Sequence, residues 1–336
     1  MVKSYINSIS YYLPVYQLTN EKINQEFPDW GIEKISLKTG INSRHISAAD
    51  EFSSDMAIKA SEKLFVEHNI DRKSIDFLLF CTQSPDYFLP TTACILQHKL
   101  KLNTSCGALD FNLGCSGFVY GLSLAKGLIA GNMAKNVLLI TSETYSKFIH
   151  PKDKSNKTIF GDAAAATLIS AEKGLFEIGD FIFGTDGSGA ENLIVRNGGM
   201  RNPIHQNEDI IDEYDNVKND NNLYMNGSEI FNFTSESVPS LTNAMLTKIG
   251  KSLEVIDLFV FHQANKYMLN HLRKKTGIPE DKFFIKMDHC GNTVSSTIPI
   301  ALYEAIKSER TKDCKNIILS GFGVGYSWAS CNLIKD

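Results

Sequence analysis

The sequence predicts an α/β protein built from two fused copies of one unit, and three observations predict it. Residues 75–81 and 136–141 are near-continuous apolar runs, as a strand covered on both faces requires. Segments with helical spacing of apolar residues alternate with them, over 52–67, 91–100 and 118–129. The order then recurs. Ile75-Asp76-Phe77-Leu78-Leu79-Phe80 returns as Ile256-Asp257-Leu258-Phe259-Val260-Phe261, and Lys135-Asn136-Val137-Leu138-Leu139 as Lys315-Asn316-Ile317-Ile318-Leu319, both roughly 180 residues on. Asp110 ahead of Cys115 pairs in the same way with Asp288 ahead of Asn292. The expected halves are residues 1–172, carrying Cys115, and 173–336, carrying His262 and Asn292.

In chain order, Tyr5–Tyr12 reads as a strand ended by Pro14, and 19–27 as a short helix capped by Thr19 or Asn20. Lys38-Thr39-Gly40-Ile41 turns toward Arg44-His45-Ile46. The helix over 52–67 has Ser53 or Ser54 as its expected cap. Leu109 and Phe111 suggest a buried strand, Gly114-Cys115-Ser116-Gly117 a tight turn, and 118–129 a helix. Residues 197–222, rich in Asn, Asp and Gly, read as an exposed insertion. Lys266–Thr276 reads as a helix with Asn265 at its N-cap.

Composition narrows the function. The chain has 336 residues, 43% hydrophobic and 21% charged, which suits two domains or two fused halves of an ordinary globular protein. A net charge of −4 offers no basic field for nucleic acid. No stretch reaches the length of a membrane span, and the N-terminal residues show no apolar signal core, so the expected location is cytoplasmic. Seven scattered cysteines without a C-x-x-C pair fit reduced thiols and argue against a disulfide framework or a structural zinc site.

Chemistry concentrates at strand ends. Cys115 is placed at a helix N-terminus, where unpaired N–H groups and the helix dipole are expected to lower its pKa and make it a nucleophile; the plainer reading is a buried small apolar residue. His262 follows an apolar strand in F-V-F-H-Q-A-N, Asn292 lies in M-D-H-C-G-N-T, and Gly321-Phe322-Gly323-Val324-Gly325 forms a glycine-rich loop after a fourth strand. Taken singly, these are a satisfied buried histidine, a turn asparagine and a β-turn. Two pseudo-symmetric halves instead bring equivalent strand ends to one interface, where ligands bind.

Together the segments resemble the thiolase superfamily, and within it the β-ketoacyl-acyl-carrier-protein synthase III type of condensing enzyme. D-F-N-L-G-C-S-G-F around Cys115, H-Q-A-N at residues 262–265, G-N-T at 291–293 and G-F-G-V-G-Y-S-W at 321–328 carry the resemblance, which runs over nearly the whole chain. It implies a thiolase-like fold whose duplicated α/β halves form layered αβαβα architecture, and a Cys115-His262-Asn292 catalytic set. Cys115 takes an acyl group from a thioester, the backbone of Cys115 and of Gly323, Val324 and Gly325 holds the oxyanion, and His262 and Asn292 stabilise the enolate formed as a malonyl carrier thioester loses carbon dioxide. Leu89, Lys38, Lys154 and Phe160 fall at substrate-binding positions, and Lys266, Arg273, Lys274 and Lys275 form an expected docking face for acyl carrier protein.

The implied partners are acyl carrier protein, coenzyme A thioesters and a second copy of the chain in a homodimer. No cofactor or metal is implied beyond the thioester carriers. Departures from the family pattern are also legible: Lys34 stands where the family carries an adenine-stacking Trp, with Trp30 four residues early, Lys154 replaces an Arg, Leu89 a Phe and Tyr267 an Arg. They keep open an alternative in which the same nucleophile transfers its acyl group without decarboxylation. A catalytically silent thioester binder and a papain-like protease are the competitors from other classes.

Overall fold

The computed structural model describes residues 2–211 and 217–335. The first half runs β1 (Tyr5–Tyr12), β2 (Tyr16–Thr19), α1 (Asn20–Glu26), α2 (Ile32–Thr39), β3 (Ser43–Ile46), α3 (Ser53–Glu67) and β4 (Phe77–Cys81). It continues α4 (Thr92–Lys99), β5 (Gly107–Phe111), α5 (Gly117–Ala130), β6 (Asn136–Glu143), α6 (Lys154–Lys157) and β7 (Ala163–Ser170). Then come β8 (Phe176–Thr185), the two-residue strands β9 (Leu193–Ile194), β10 (Ile210–Ile211), β11 (Val217–Lys218) and β12 (Tyr224–Met225), and the long helix α7 (Gly227–Ile249). The chain closes with β13 (Leu258–Phe261), α8 (Lys266–Thr276), α9 (Thr297–Lys307), β14 (Asn316–Gly323) and β15 (Ser327–Ile334).

Among the described residues one nine-stranded sheet has the order β13-β14-β15-β8-β1-β7-β6-β4-β5. The two arms pair alike. On one side β4 lies parallel to β5 and β6, β6 is antiparallel to β7, and β7 to β1. On the other, β13 is parallel to β14, β14 antiparallel to β15, and β15 to β8, with a parallel Phe259–Phe283 bridge standing where β5 stands in the first arm. The short antiparallel contact of Tyr5 and Ile6 with Glu177 and Phe176 joins the arms.

Alternation along the strands produces the layers. Leu79, Val137 and Leu139 from the first arm, and Leu258, Val260, Ile317 and Leu319 from the second, enter one core with Phe118 and Leu122 of α5 and Ile298 and Leu302 of α9. The opposite faces differ. Leu78, Phe80, Leu138 and Ile140 pack on α3 and α4, whereas Phe259, Phe261 and Ile318 pack on α7 and α8. Helices therefore sit outside each arm and between the two, which is the αβαβα arrangement.

Several expectations need correction. The strand around Leu109 is not buried: β5 is the last strand of the sheet, and Leu109 is 47% exposed. Phe52, not Ser53 or Ser54, caps α3, because Ser53 Oγ donates to Ser84 O (2.5 Å) and Ser54 N–H to Asp86 (3.3 Å), while Asp55 accepts from Phe52 N–H (2.9 Å). Gly321 and Gly323 belong to strand β14, not to a loop. Residues 197–222 are partly anchored: Asn197 is buried and its Nδ2 donates to Asn221 Oδ1 at 2.9 Å. Residues 212–216 of that segment lie outside the described residues. No described helix is long and apolar enough to cross a membrane.

Candidate active site

Cys115 lies in the turn between β5 and α5, two residues before the helix begins. The turn is tight because Gly117 N–H donates to Gly114 O at 2.8 Å, and Gly117 must lack a side chain because Cys81 Sγ occupies that space. The strand β14 closes over it. A Cβ on Gly321 would stand 2.7 Å from Cys115 O, and one on Gly323 would stand 2.9 Å from its Sγ. Glycine at both positions is what lets the second half approach the thiol.

The thiol is buried, and its own N–H and that of Val324 face it. Burial, helped by the nearby Glu143 carboxyl, pushes its pKa up to about 12, and the two N–H groups only moderate the rise. This reverses the expectation of a lowered pKa. The helix dipole acts at the end of a turn that water does not reach, and loss of hydration outweighs it.

His262 follows β13 directly, where Phe261 is in register with Ser320 of β14, and its N–H donates to Ser320 O at 2.8 Å. Its Nδ1 contacts Thr297 Oγ1 at 2.7 Å. The Thr297 hydroxyl donates to Val294 O at 2.9 Å, so it accepts from Nδ1–H and leaves Nε2 as a bare acceptor. Burial lowers the imidazole pKa to about 3, so the ring is neutral at working pH.

Asn292 is held by its backbone: its N–H donates to Ile159 O (2.9 Å) and its carbonyl accepts from Gly161 N–H (3.0 Å). Its Oδ1 accepts from Val294 N–H at 2.9 Å, which leaves Nδ2 as a free donor. Two buried ionisable residues to which the sequence assigned no role support this frame. Arg44 donates from Nε to Thr158 O at 2.9 Å and also bonds Asn20, fixing the segment that grips Asn292; burial lowers its pKa to about 9. Glu143, at the end of β6, accepts from Ser295 Oγ (2.8 Å), Gln83 N–H (3.0 Å) and Ser84 Oγ (3.2 Å), tying the first half to the turn after Asn292. Burial raises its pKa to about 8. No local signal in the sequence marks either side chain as buried.

The other anticipated residues scatter. Phe160 is buried, its ring 5.2 Å from that of Tyr145. Lys154 Nζ stands 6.0 Å from the Phe27 ring and Lys34 Nζ 5.6 Å from the Trp30 ring, both rings lying between α1 and α2, and Lys38 is exposed on the last turn of α2. Leu89 is 82% exposed beside Phe88. Of the anticipated docking cations three are exposed and one is tied down. Lys266 lies across Gly40 at the start of α8, Lys274 and Lys275 are exposed in its last turn, and Arg273 folds back onto Ile278 O (3.3 Å) and Glu280 (3.4 Å). Among the described residues no group of three or more His, Cys, Asp or Glu is arranged to hold a metal.

Strand β14 thus lies against Cys115 through Gly323 and beside β13, the strand that His262 follows. Residues 109–187 match the family profile for 3-oxoacyl-[acyl-carrier-protein (ACP)] synthase III, and 246–334 match its C-terminal profile. The first span contains Cys115 and the second His262 and Asn292. The chain is 36% identical to a β-ketoacyl-[acyl-carrier-protein] synthase III of Clostridium perfringens over 96% of both chains, and 34% identical to one of Streptococcus equi over 98% of both. The chain belongs to the 3-oxoacyl-[acyl-carrier-protein] synthase III family. Its fold superposes on a crystal structure of a 3-oxoacyl-(acyl-carrier-protein) synthase III with a TM-score of 0.97 at 50% identity, covering 99% of this chain and 100% of that one. A synthase III from Thermus thermophilus gives 0.85 at 31% identity, covering 98% and 99%. Membership makes the chain an acyltransferase of the condensing type.

Proposed function

We propose that Cys115 carries the acyl group between two half-reactions. Sγ attacks the carbonyl of an acyl thioester of coenzyme A or acyl carrier protein; its proton passes to His262 Nε2 and leaves on the departing carrier thiol. The N–H groups of Cys115 and Val324, with the Gly323 and Gly325 backbone around them, hold the tetrahedral oxyanion. A malonyl carrier thioester then loses carbon dioxide. Its carbanion persists only as an enolate, for which Asn292 Nδ2 is a neutral donor, and His262 joins as its Nε2–H tautomer. Thr297 Oγ1 serves both tautomers, since a hydroxyl accepts or donates. The enolate attacks the acyl carbon, Sγ leaves as a thiolate that takes a proton from water, and a β-ketoacyl thioester departs on the carrier.

The observation that carries this reading is the pair of N–H groups converging on the Cys115 thiol, one from each half. The division at residues 1–172 and 173–336 follows: one half supplies the nucleophile, the other the decarboxylation donors. Open edge strand β5 and the exposed Tyr87, Phe88 and Leu89 favour a homodimer that covers both, with Leu89 of each copy directed to its partner's acyl pocket. An acidic carrier docks on Lys266, Lys274 and Lys275 rather than Arg273, and Phe160, Lys38 and Lys154 border the thioester's path. Seven free cysteines suit a cytoplasmic enzyme.

Asn292→Ala tests the assignment of steps. Acylation of Cys115 is expected to persist while carbon dioxide release from malonyl carrier falls about a hundredfold; equal loss of both steps would contradict it.

A further inference from the structure

The cavity lined by Val324, whose N–H faces the Cys115 thiol, is small and not wholly apolar. Its volume is about 210 Å³, below the roughly 300–1,000 Å³ of pockets that take drug-sized ligands, so it admits a short chain. Phe148, Leu223 and Val324 supply apolar wall. Set among them is a relay of three polar side chains: Tyr145 Oη donates to Gln83 Oε1 at 3.1 Å, and Gln83 Nε2 donates to Asn112 Oδ1 at 3.3 Å.

The relay adjoins the nucleophile. Gly114 precedes Cys115, and a Cβ there would stand 2.5 Å from Gln83 Oε1 and 2.7 Å from Val324 Cγ1. Hydrogen-bonding capacity is left over. Among the described residues nothing bonds the Tyr145 Oη lone pairs, the second hydrogen of Gln83 Nε2 or the hydrogens of Asn112 Nδ2. Asn112 is exposed and keeps its water, but an all-carbon acyl chain would strip water from Tyr145 and Gln83 and return nothing, whereas a chain oxygen would satisfy them.

We propose that the acyl group loaded on Cys115 is a short hydroxyacyl or oxoacyl chain whose extra oxygen is read by Tyr145, Gln83 and Asn112. This rests on the reading of Cys115 as acyl acceptor. Loading is thioester exchange: the Sγ–C bond forms, the donor S–C bond breaks, and the Cys115 proton leaves on the donor thiol, with no oxidant or reductant.

The test compares chain-matched pantetheine thioesters, butanoyl against 3-hydroxybutanoyl and pentanoyl against 4-oxopentanoyl, with acetyl as reference, by the rate of mass gain on the intact protein. The oxygenated member of at least one pair is expected to load about tenfold faster. Tyr145→Phe and Gln83→Leu each bring that ratio toward one, and because the ratio is read within each variant, a general loss of stability cancels. Plain chains loading as fast as both oxygenated partners would overturn the proposal. A preference that survives both substitutions would overturn the assignment to this relay. Loading by acetyl alone would show Cys115 to be the acceptor and the polar-chain proposal wrong, while no acyl mass from any thioester would remove the acceptor reading and the proposal with it.

Discussion

Gly323 of β14 lies against the thiol of Cys115, so close that a Cβ there would stand 2.9 Å from Sγ. The contact joins the half that carries the nucleophile to the half that carries His262 and Asn292. Gly323→Ala must displace the thiol or the strand. Overpacking of this kind costs about 1–3 kcal/mol, whereas a nucleophile moved by about 1 Å loses about a hundredfold in rate. Paired thermal melts and acylation rates should show a modest fall in Tm beside a large fall in rate.

Cys115 is expected to be a thiol at neutral pH and His262 a neutral imidazole, because burial raises the first to about 12 and lowers the second to about 3. Alkylation of Cys115 by iodoacetamide should therefore rise about tenfold per pH unit from pH 7 to 10, in proportion to the thiolate fraction. A plateau between pH 6 and 8, the mark of a thiolate-imidazolium pair, would contradict the buried neutral site.

The Thr297 hydroxyl is the partner of His262 Nδ1, accepting from it in one tautomer and donating to it in the other. Thr297→Val keeps the shape and removes the partner of Nδ1. Acylation and decarboxylation should fall unequally, since the variant cannot stabilise both tautomers in turn. Thr297→Ser should restore the balance; a uniform loss in both half-reactions that Ser does not rescue would point to packing alone.

Glu143 is held near 8 by burial against an ordinary 4.5, so the folded protein keeps a proton that the unfolded chain releases. Its contribution to stability is full below about pH 4.5 and is lost as pH rises toward 8. Glu143→Gln removes that dependence. Between pH 5 and 8 the native Tm should drop by on the order of 3 °C or more relative to the variant, and parallel curves would contradict a protonated buried carboxyl.

The open edge of β5 gives a test of assembly. Leu109 is 47% exposed on that edge, and Leu109→Asp places a charge where a second copy would pair. Sedimentation should show a dimer for the native chain and a monomer for the variant. A native monomer would remove the proposed dimer.

The repeat and the layered α/β class were legible because a strand covered on both faces writes an unbroken apolar run, as in β4 and β13. The Asn265 cap was legible for a local reason, its Oδ1 accepting from Met268 N–H three residues on. What the sequence hid depends on neighbours far along the chain. Nothing in Gly107–Phe111 marks β5 as an edge, and nothing near Arg44 or Glu143 says that either side chain is buried. The Cys115 pKa was misjudged for the same reason: the turn's dipole is local, but the burial that outweighs it is made by β14, some two hundred residues on.

The most direct test of the account is intact-protein mass spectrometry in two steps, on native protein and on Cys115→Ala. An acyl thioester should add its acyl mass to the native chain and not to the variant, and malonyl-acyl-carrier protein should then discharge it with release of one carbon dioxide per acyl group. An acyl mass that forms on Cys115 but leaves without carbon dioxide, or that forms equally on Cys115→Ala, would contradict a decarboxylative condensation through this thiol.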